Sequence, residues 1–198
     1  MSEPLMELGF HPLTPDRWND FEKLFGPRGA MAGCWCMWWR VKRKDWEANQ
    51  YEGNKVAMRT IVDSGTVPGL LAYRDEAPIG WVSIAPREDF PVLQRSPILK
   101  PVDDQPVWSV VCFVVHKEYK GQGMSGRLLQ AAVDYATTQG ATIVEGYPIA
   151  PKSDSVPDIY SFTGFLSTFQ VAGFVEVARR SKHKPIMRLY MDPNHVRP

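Results

Sequence analysis

From Val107 to Gln139 the apolar pattern changes period. It begins as the continuous run VWSVVCFVV, passes through the polar step His116 to Lys120, and enters the glycine-rich turn Lys120 to Gly126. Beyond the turn, Met124, Leu128, Ala132 and Tyr135 or Ala136 recur at helical spacing, and Gly140 is placed to end that helix. The β-rich run Ala141 to Tyr147 follows. A strand, a helix and a second strand in that order imply parallel strands joined by a right-handed crossover.

The rest of the chain reads in the same way. Leu5 to Phe10 predicts a first strand, and Thr14-Pro15 has a hydroxyl and a proline where a helix starts. Trp18, Phe21, Leu24 and Phe25 would face inward on that helix, which stops at Gly26-Pro27. Glu52 to Asp63 predicts another helix, with Val56, Arg59, Thr60 and Val62 or Asp63 at helical spacing. Gly69 to Arg74 and Ala77 to Ala85 alternate as two strands of a hairpin. Pro86 to Pro106, crowded with turn residues, predicts a long surface loop, and Pro148 to Asp158 a second loop. Ser161 to Ala172 predicts a short helix, and Phe174 to Arg180 with Pro185 to Met191 a closing hairpin around Ser181 to Lys184. The fold class is therefore α/β of the α+β type: one domain over residues 1–198, with a mixed central sheet of six to seven strands and flanking helices.

Composition adds exclusions. Charged residues make up 23% and the formal net charge is +1, with no basic stripe of the kind that tracks a nucleic acid. The basic cluster Arg40 to Lys44 is short and is read as a solvated face or loop. No apolar run reaches membrane-spanning length, and the N-terminus lacks a signal-peptide pattern, so a cytoplasmic location is the default. Three cysteines do not suggest a disulfide framework, and Cys34-x-Cys36 lacks the further ligands that zinc needs, so no metal is expected.

Candidate chemistry centres on the turn. First-turn N–H groups of a helix have no intrahelical partner and favour an anion, and glycines at 121, 123 and 126 let a phosphate approach the backbone. The literal G-x-G-x-x-G suggests a dinucleotide loop, with Glu145 near the place of its acid. Five polar residues separate Gly121 from the strand, however, and too little chain remains for a doubly wound sheet. A second unusual stretch runs from Gly29 to Trp46 and holds four of the seven tryptophans. It reads equally as a packed mini-core or as a wall over an acceptor, formed by Trp35, Trp38, Trp39 and Arg40.

The stretch VVCFVVHKEYKGQGMSGRLLQAAVDYA resembles the central motif of the GCN5-related N-acetyltransferases, with Lys120, Gly121, Gln122, Gly123, Met124 and Ser125 in the six places of its phosphate loop. VAGF, Val171 to Phe174, is similar to a second family signature, and the order of elements also matches. The resemblance implies splayed parallel strands at a site for acetyl-CoA. Its pyrophosphate would lie on Gln122 to Gly126, with Lys117, Lys120 and Arg127 in reach, and its pantetheine arm along Phe113, Val114 and Val115. The implied reaction is direct attack of an amine on the thioester, with the Val114 or Val115 N–H as oxyanion donor. The family's frequent catalytic tyrosine falls at Phe169, so Tyr160 becomes the expected acid and Tyr147 the second choice, Tyr147 also being placed at the acceptor. Glu145 is the expected base. Expected partners are a small-molecule or peptide amine, with neither nucleic acid nor membrane; pairing with a second copy as a homodimer stays open. The rival reading is a CoA-binding sensor or interaction module of the same fold without turnover.

Overall fold

A computed structural model describes residues 8–151 and 162–191. Seven strands form one sheet in the order β1-β2-β3-β4-β5-β7-β6. They are β1 (Leu8–Pro12), β2 (Gly69–Arg74), β3 (Ala77–Pro86), β4 (Trp108–Val115), β5 (Ile143–Gly146), β6 (Val175–Arg179) and β7 (Pro185–Tyr190). Only β4 and β5 run parallel, through Trp108–Val144, Ser109–Glu145 and Val110–Gly146. Beyond Val110 the ladder stops while β4 continues to Val115, so the two strands part and one edge of β4 is left without a β5 neighbour.

Each face of the sheet buries its own apolar layer. One layer gathers α1 (Trp18–Phe25), the tryptophan-rich segment with α2 (Arg43–Ala48), α3 (Glu52–Asp63) and α4 (Pro91–Arg95) over Trp81, Val111 and Cys112. The other packs α5 (Met124–Thr138) and α6 (Leu166–Val171) over Ile79, Val110 and Phe113. The period-two alternation of β4 explains the division, since Cys112 and Phe113 must face opposite layers. A bulge in the β3–β4 pairing leaves Val111 without an opposite residue, and its carbonyl accepts a hydrogen bond from the Trp39 indole Nε1–H at 3.2 Å.

Several sequence expectations shift. Pro86 to Pro106 is not a surface loop throughout: it forms a 3-10 turn at Arg87–Asp89 and α4, and buries Phe90, Leu93 and Leu99. Helix α3 has the expected ends but another inner face, burying Asn54, Met58 and Val62 while Val56 is 55% exposed. Thr14 makes no side-chain cap; Pro15–Arg17 is a 3-10 turn and α1 starts at Trp18. The helix expected over Ser161 to Ala172 is confined to α6. Among the described residues, no helix is long and apolar enough to cross a membrane.

Candidate active site

The α5 N-terminus is built as an open cradle. Gly123, at φ +73°, is its N-cap and supplies no side-chain cap, while Gly121 has φ +74°. An added Cβ at either glycine would enter open space, so the loop leaves room for a ligand rather than for packing. Left-handed backbone at both positions suits glycine; the Gly126 N–H donates to the Gly123 carbonyl at 3.1 Å, so the N–H groups ahead of it are the ones a ligand would meet. Buried Met124, Leu128, Leu129, Ala132, Val133 and Ala136 hold the helix against the sheet, which fixes where that N-terminus points.

A cavity of about 1150 Å³ runs from this cradle along β4. Phe113 to Lys117, Lys120, Gly121 and Gly123 to Gly126 line its one half. Gln122 and Arg127 are exposed beside it; the Gln122 amide donates to the Glu118 carbonyl at 2.7 Å. The exposed edge of β4 carries alternate N–H groups. His116 N–H donates to Ile79 of β3, so Val114 also faces β3, whereas Phe113 and Val115 face the open edge. Of the two expected oxyanion donors, Val115 and not Val114 has its N–H on the open edge. The Phe113 N–H is already engaged, donating to the Phe162 carbonyl at 2.7 Å.

The cavity's other half is aromatic and sulfurous. Leu24, Phe25, Met31, Trp38, Trp39, Trp46 and Phe162 line it together with Cys34, Cys36 and Cys112. Trp38 packs edge-on to Trp46 at 5.0 Å, and Trp39 is tilted against Phe162 at 6.4 Å. The tryptophan-rich segment is thus both wall and mini-core, divided by residue. Trp35 belongs to the core, stacked on Phe25 and Trp18, and Arg40 is buried over the Phe90 ring with its guanidinium donating to the Pro68 carbonyl. Neither lines the cavity, which removes Trp35 and Arg40 from the acceptor contacts and Arg40 from the solvated basic face. Left-handed φ at Trp35 and Cys36 turns the chain so that Trp35 points inward while Cys36 meets β4.

Cys36 carries no sequence signal beyond the C-x-C spacing, which points to a metal rather than to a pairing with distant Cys112. The Cys112 thiol donates a hydrogen bond to its sulfur, which lowers the Cys36 pKa below the ordinary thiol value and raises that of Cys112. Burial opposes the lowering, while the Trp81 indole N–H at 3.3 Å and the Arg40 charge assist it. Burial raises the Cys34 thiol. Lys184, in the β6–β7 turn, also lines the cavity; its Nζ donates to Thr163 Oγ1 at 2.7 Å, and desolvation lowers its pKa to about 8. Among the described residues, no group of three or more His, Cys, Asp or Glu side chains is placed to hold a metal ion.

Glu145 and Tyr147 lie elsewhere. Both are 0% exposed and neither lines the cavity. Glu145 Oε1 accepts from Arg87 at 2.5 Å and from the Tyr147 hydroxyl at 2.7 Å, and its Oε2 accepts from Arg188 at 2.7 Å. Arg188 also grips Asp103, at 2.6 and 3.0 Å, and Ser109 bonds the Tyr147 hydroxyl at 2.8 Å. Burial alone would lower the Arg188 pKa, but Asp103 and Glu145 hold it above the ordinary value. With both oxygens committed to guanidinium groups, Glu145 is a clamp where β4 and β5 still pair, not a base facing an acceptor. Burial raises the Tyr147 phenol well above its ordinary value, and its hydroxyl is spent on Glu145 away from the cavity, out of reach of a departing thiol there. Tyr160 lies outside the described residues. Phe169 is fully buried, edge-on to Phe113 and Phe174, with its ring so close to Gly146 that a Cβ there would clash at 2.1 Å. It wedges the parting strands rather than facing the cavity.

Similarities to known proteins agree with this architecture. Among curated proteins none matches the chain by sequence. Solved structures share the fold at low identity. A chain of the NatC complex bound to Gag peptide and CoA is 12% identical with TM-score 0.54, covering 94% of this chain and 100% of that one. PaiA N-acetyltransferase from Thermoplasma acidophilum in complex with coenzyme A is 14% identical with TM-score 0.51, covering 93% and 99%. An acetyltransferase of the GNAT family from Listeria monocytogenes is 9% identical with TM-score 0.58, covering 96% and 98%. The family model described as Acetyltransferase (GNAT) family matches residues 35–151, from the tryptophan-rich wall through the cradle to the strand beyond it. The chain belongs to the GNAT acetyltransferase family.

Proposed function

We propose that this protein is an acetyl-CoA-dependent N-acetyltransferase. The observation that carries the reading is the continuity of one cavity from the α5 cradle, past the open edge of β4, to an aromatic chamber. The cradle and its neighbours Lys117 and Lys120 suit a pyrophosphate, and the CoA-bound relatives of the same fold support that assignment. Acetyl-CoA supplies the thioester carbonyl as electrophile. The Val115 N–H, on the open edge, donates to the carbonyl oxygen as it gains charge. The Cys36 sulfur, stabilised as a thiolate by Trp81, Cys112 and Arg40, accepts the proton leaving the amine nitrogen. Tyr160 is assigned the proton that the departing thiol needs. The amine is a small molecule or a peptide end that fits the chamber, and the protein works in the cytoplasm.

Calorimetry with acetyl-CoA, followed by thiol release with a panel of amines, tests this. Binding with amine-dependent CoA release is expected. Binding without release from any amine would instead support a CoA-sensing module, a reading favoured by the buried phenyl at Phe169.

A further inference from the structure

Lys184 is the unexplained charge of the acceptor chamber. It sits on the β6–β7 turn, far in sequence from the cradle, and lines the cavity while bonded to buried Thr163. Thr163 follows Phe162, and Phe162 lies against Trp39, so contact by contact the ammonium belongs with the acceptor half rather than with the phosphate loop. Its one hydrogen-bond partner among the described residues is the neutral hydroxyl of Thr163. The surrounding wall is apolar, and the other lysines on the cavity, Lys117 and Lys120, stand by the cradle. A half-buried ammonium stripped of water and given one neutral acceptor is stabilised by any ligand that brings an anion to it. Consistent with that, burial holds its pKa below the ordinary lysine range, and an arriving carboxylate would raise it again by favouring the charged form.

We propose that the acceptor is an amine that also carries a carboxylate and a bulky apolar or aromatic body, an apolar α-amino acid being the simplest case. Lys184, positioned by its hydrogen bond to buried Thr163, binds the carboxylate, and Trp38, Trp39, Trp46 and Phe162 take the side chain. The proposal rests on the N-acetyltransferase reading. It distinguishes this chamber from one built for polyamines or aminoglycosides, whose cations would meet Lys184 as a like charge.

The test compares L-tryptophan and L-phenylalanine with tryptamine, phenethylamine and spermidine, in the wild type and in Lys184→Met, Lys184→Gln and Lys184→Arg. The wild type should prefer each amino acid to its decarboxylated partner in kcat/KM by about tenfold to a hundredfold, the effect of a hydrogen bond to a charged group. Lys184→Met and Lys184→Gln should erase that preference by lowering kcat/KM for the amino acids, with the Kd of acetyl-CoA unchanged, and Lys184→Arg should restore part of it. Equal rates with and without the carboxylate, or a preference for spermidine, would overturn the proposal. So would a tenfold loss of acetyl-CoA affinity in Lys184→Met, which would make the lysine a cofactor contact. If no amine is turned over, the enzyme reading falls, and calorimetry of L-tryptophan against tryptamine on the CoA-loaded protein still decides the carboxylate site.

Discussion

Replacing Glu145 with glutamine separates a clamp from a catalytic base. The wild-type cluster is balanced, with Arg87 and Arg188 against Glu145 and Asp103. In Glu145→Gln the shape is kept, but two guanidinium groups face one remaining carboxylate. Arg87 and Arg188 have side chains only 7% and 1% exposed, so neither can be rehydrated without opening the start of the β4–β5 ladder. Stranding a buried charge typically costs about 3–5 kcal/mol. For a chain of this size each kcal/mol moves Tm by roughly 2–4 °C, so a fall of roughly 6–20 °C is expected. Removing a second charge should return part of the loss: Arg188→Met in the Glu145→Gln background leaves Asp103, which is 32% exposed and can be hydrated. The assay is thermal and urea unfolding beside steady-state kinetics at a temperature where both forms are folded. The expected kcat changes little. An unchanged Tm with a ~10²–10⁴-fold loss of kcat would make Glu145 the base and refute the clamp.

Other consequences are open to test. Gly123→Val should abolish acetyl-CoA binding by calorimetry while costing about 1–3 kcal/mol, because it fills the cradle and strains a left-handed N-cap; retained affinity would contradict the site. Since the Cys36 pKa is lowered, its basic form is present from a pH below the ordinary thiol range, and kcat/KM should rise with pH through that lowered value. Cys36→Ser should move the rising limb to higher pH, and an unshifted limb would remove Cys36 as the base. Direct attack leaves no acetyl group on the protein, so intact mass after mixing with acetyl-CoA alone should be unchanged; an acetyl adduct on Cys36 would show a two-step transfer instead. Phe169→Tyr should destabilise by about 1–3 kcal/mol without raising kcat, since its hydroxyl would enter an apolar pocket facing Gly146 and Phe113; a faster enzyme would place that position at the reacting atoms.

Legibility followed the range of the interactions. The cradle was readable because strand, polar step, glycines and helix adjoin in sequence, and the β-α-β order implied the parallel pair that parts. Glu145 carries no local sign of its clamp, because its partners Arg87 and Arg188 lie 58 and 43 positions away and Asp103, which holds Arg188, lies 85 positions from that arginine. Lys184 looked like a turn residue, and only Thr163 and the cavity give it a role. Trp35 and Trp38 could not be told apart by pattern, because left-handed backbone at non-glycine residues sends neighbouring rings into different surroundings. The inner face of α3 was misread for a related reason. Asn54 is buried there, donating to the Gly33 carbonyl at 3.0 Å, so a polar residue occupies the core side while Val56 faces solvent.

The central claim is that one ligand spans the α5 cradle and the open edge of β4. A crystal structure of the full chain with CoA tests it most directly. The account predicts pyrophosphate density against the loop Gln122 to Gly126 and the pantetheine along β4 towards Val115, ending beside Cys36 and the tryptophans. CoA bound anywhere other than Phe113 to Gly126 would contradict it.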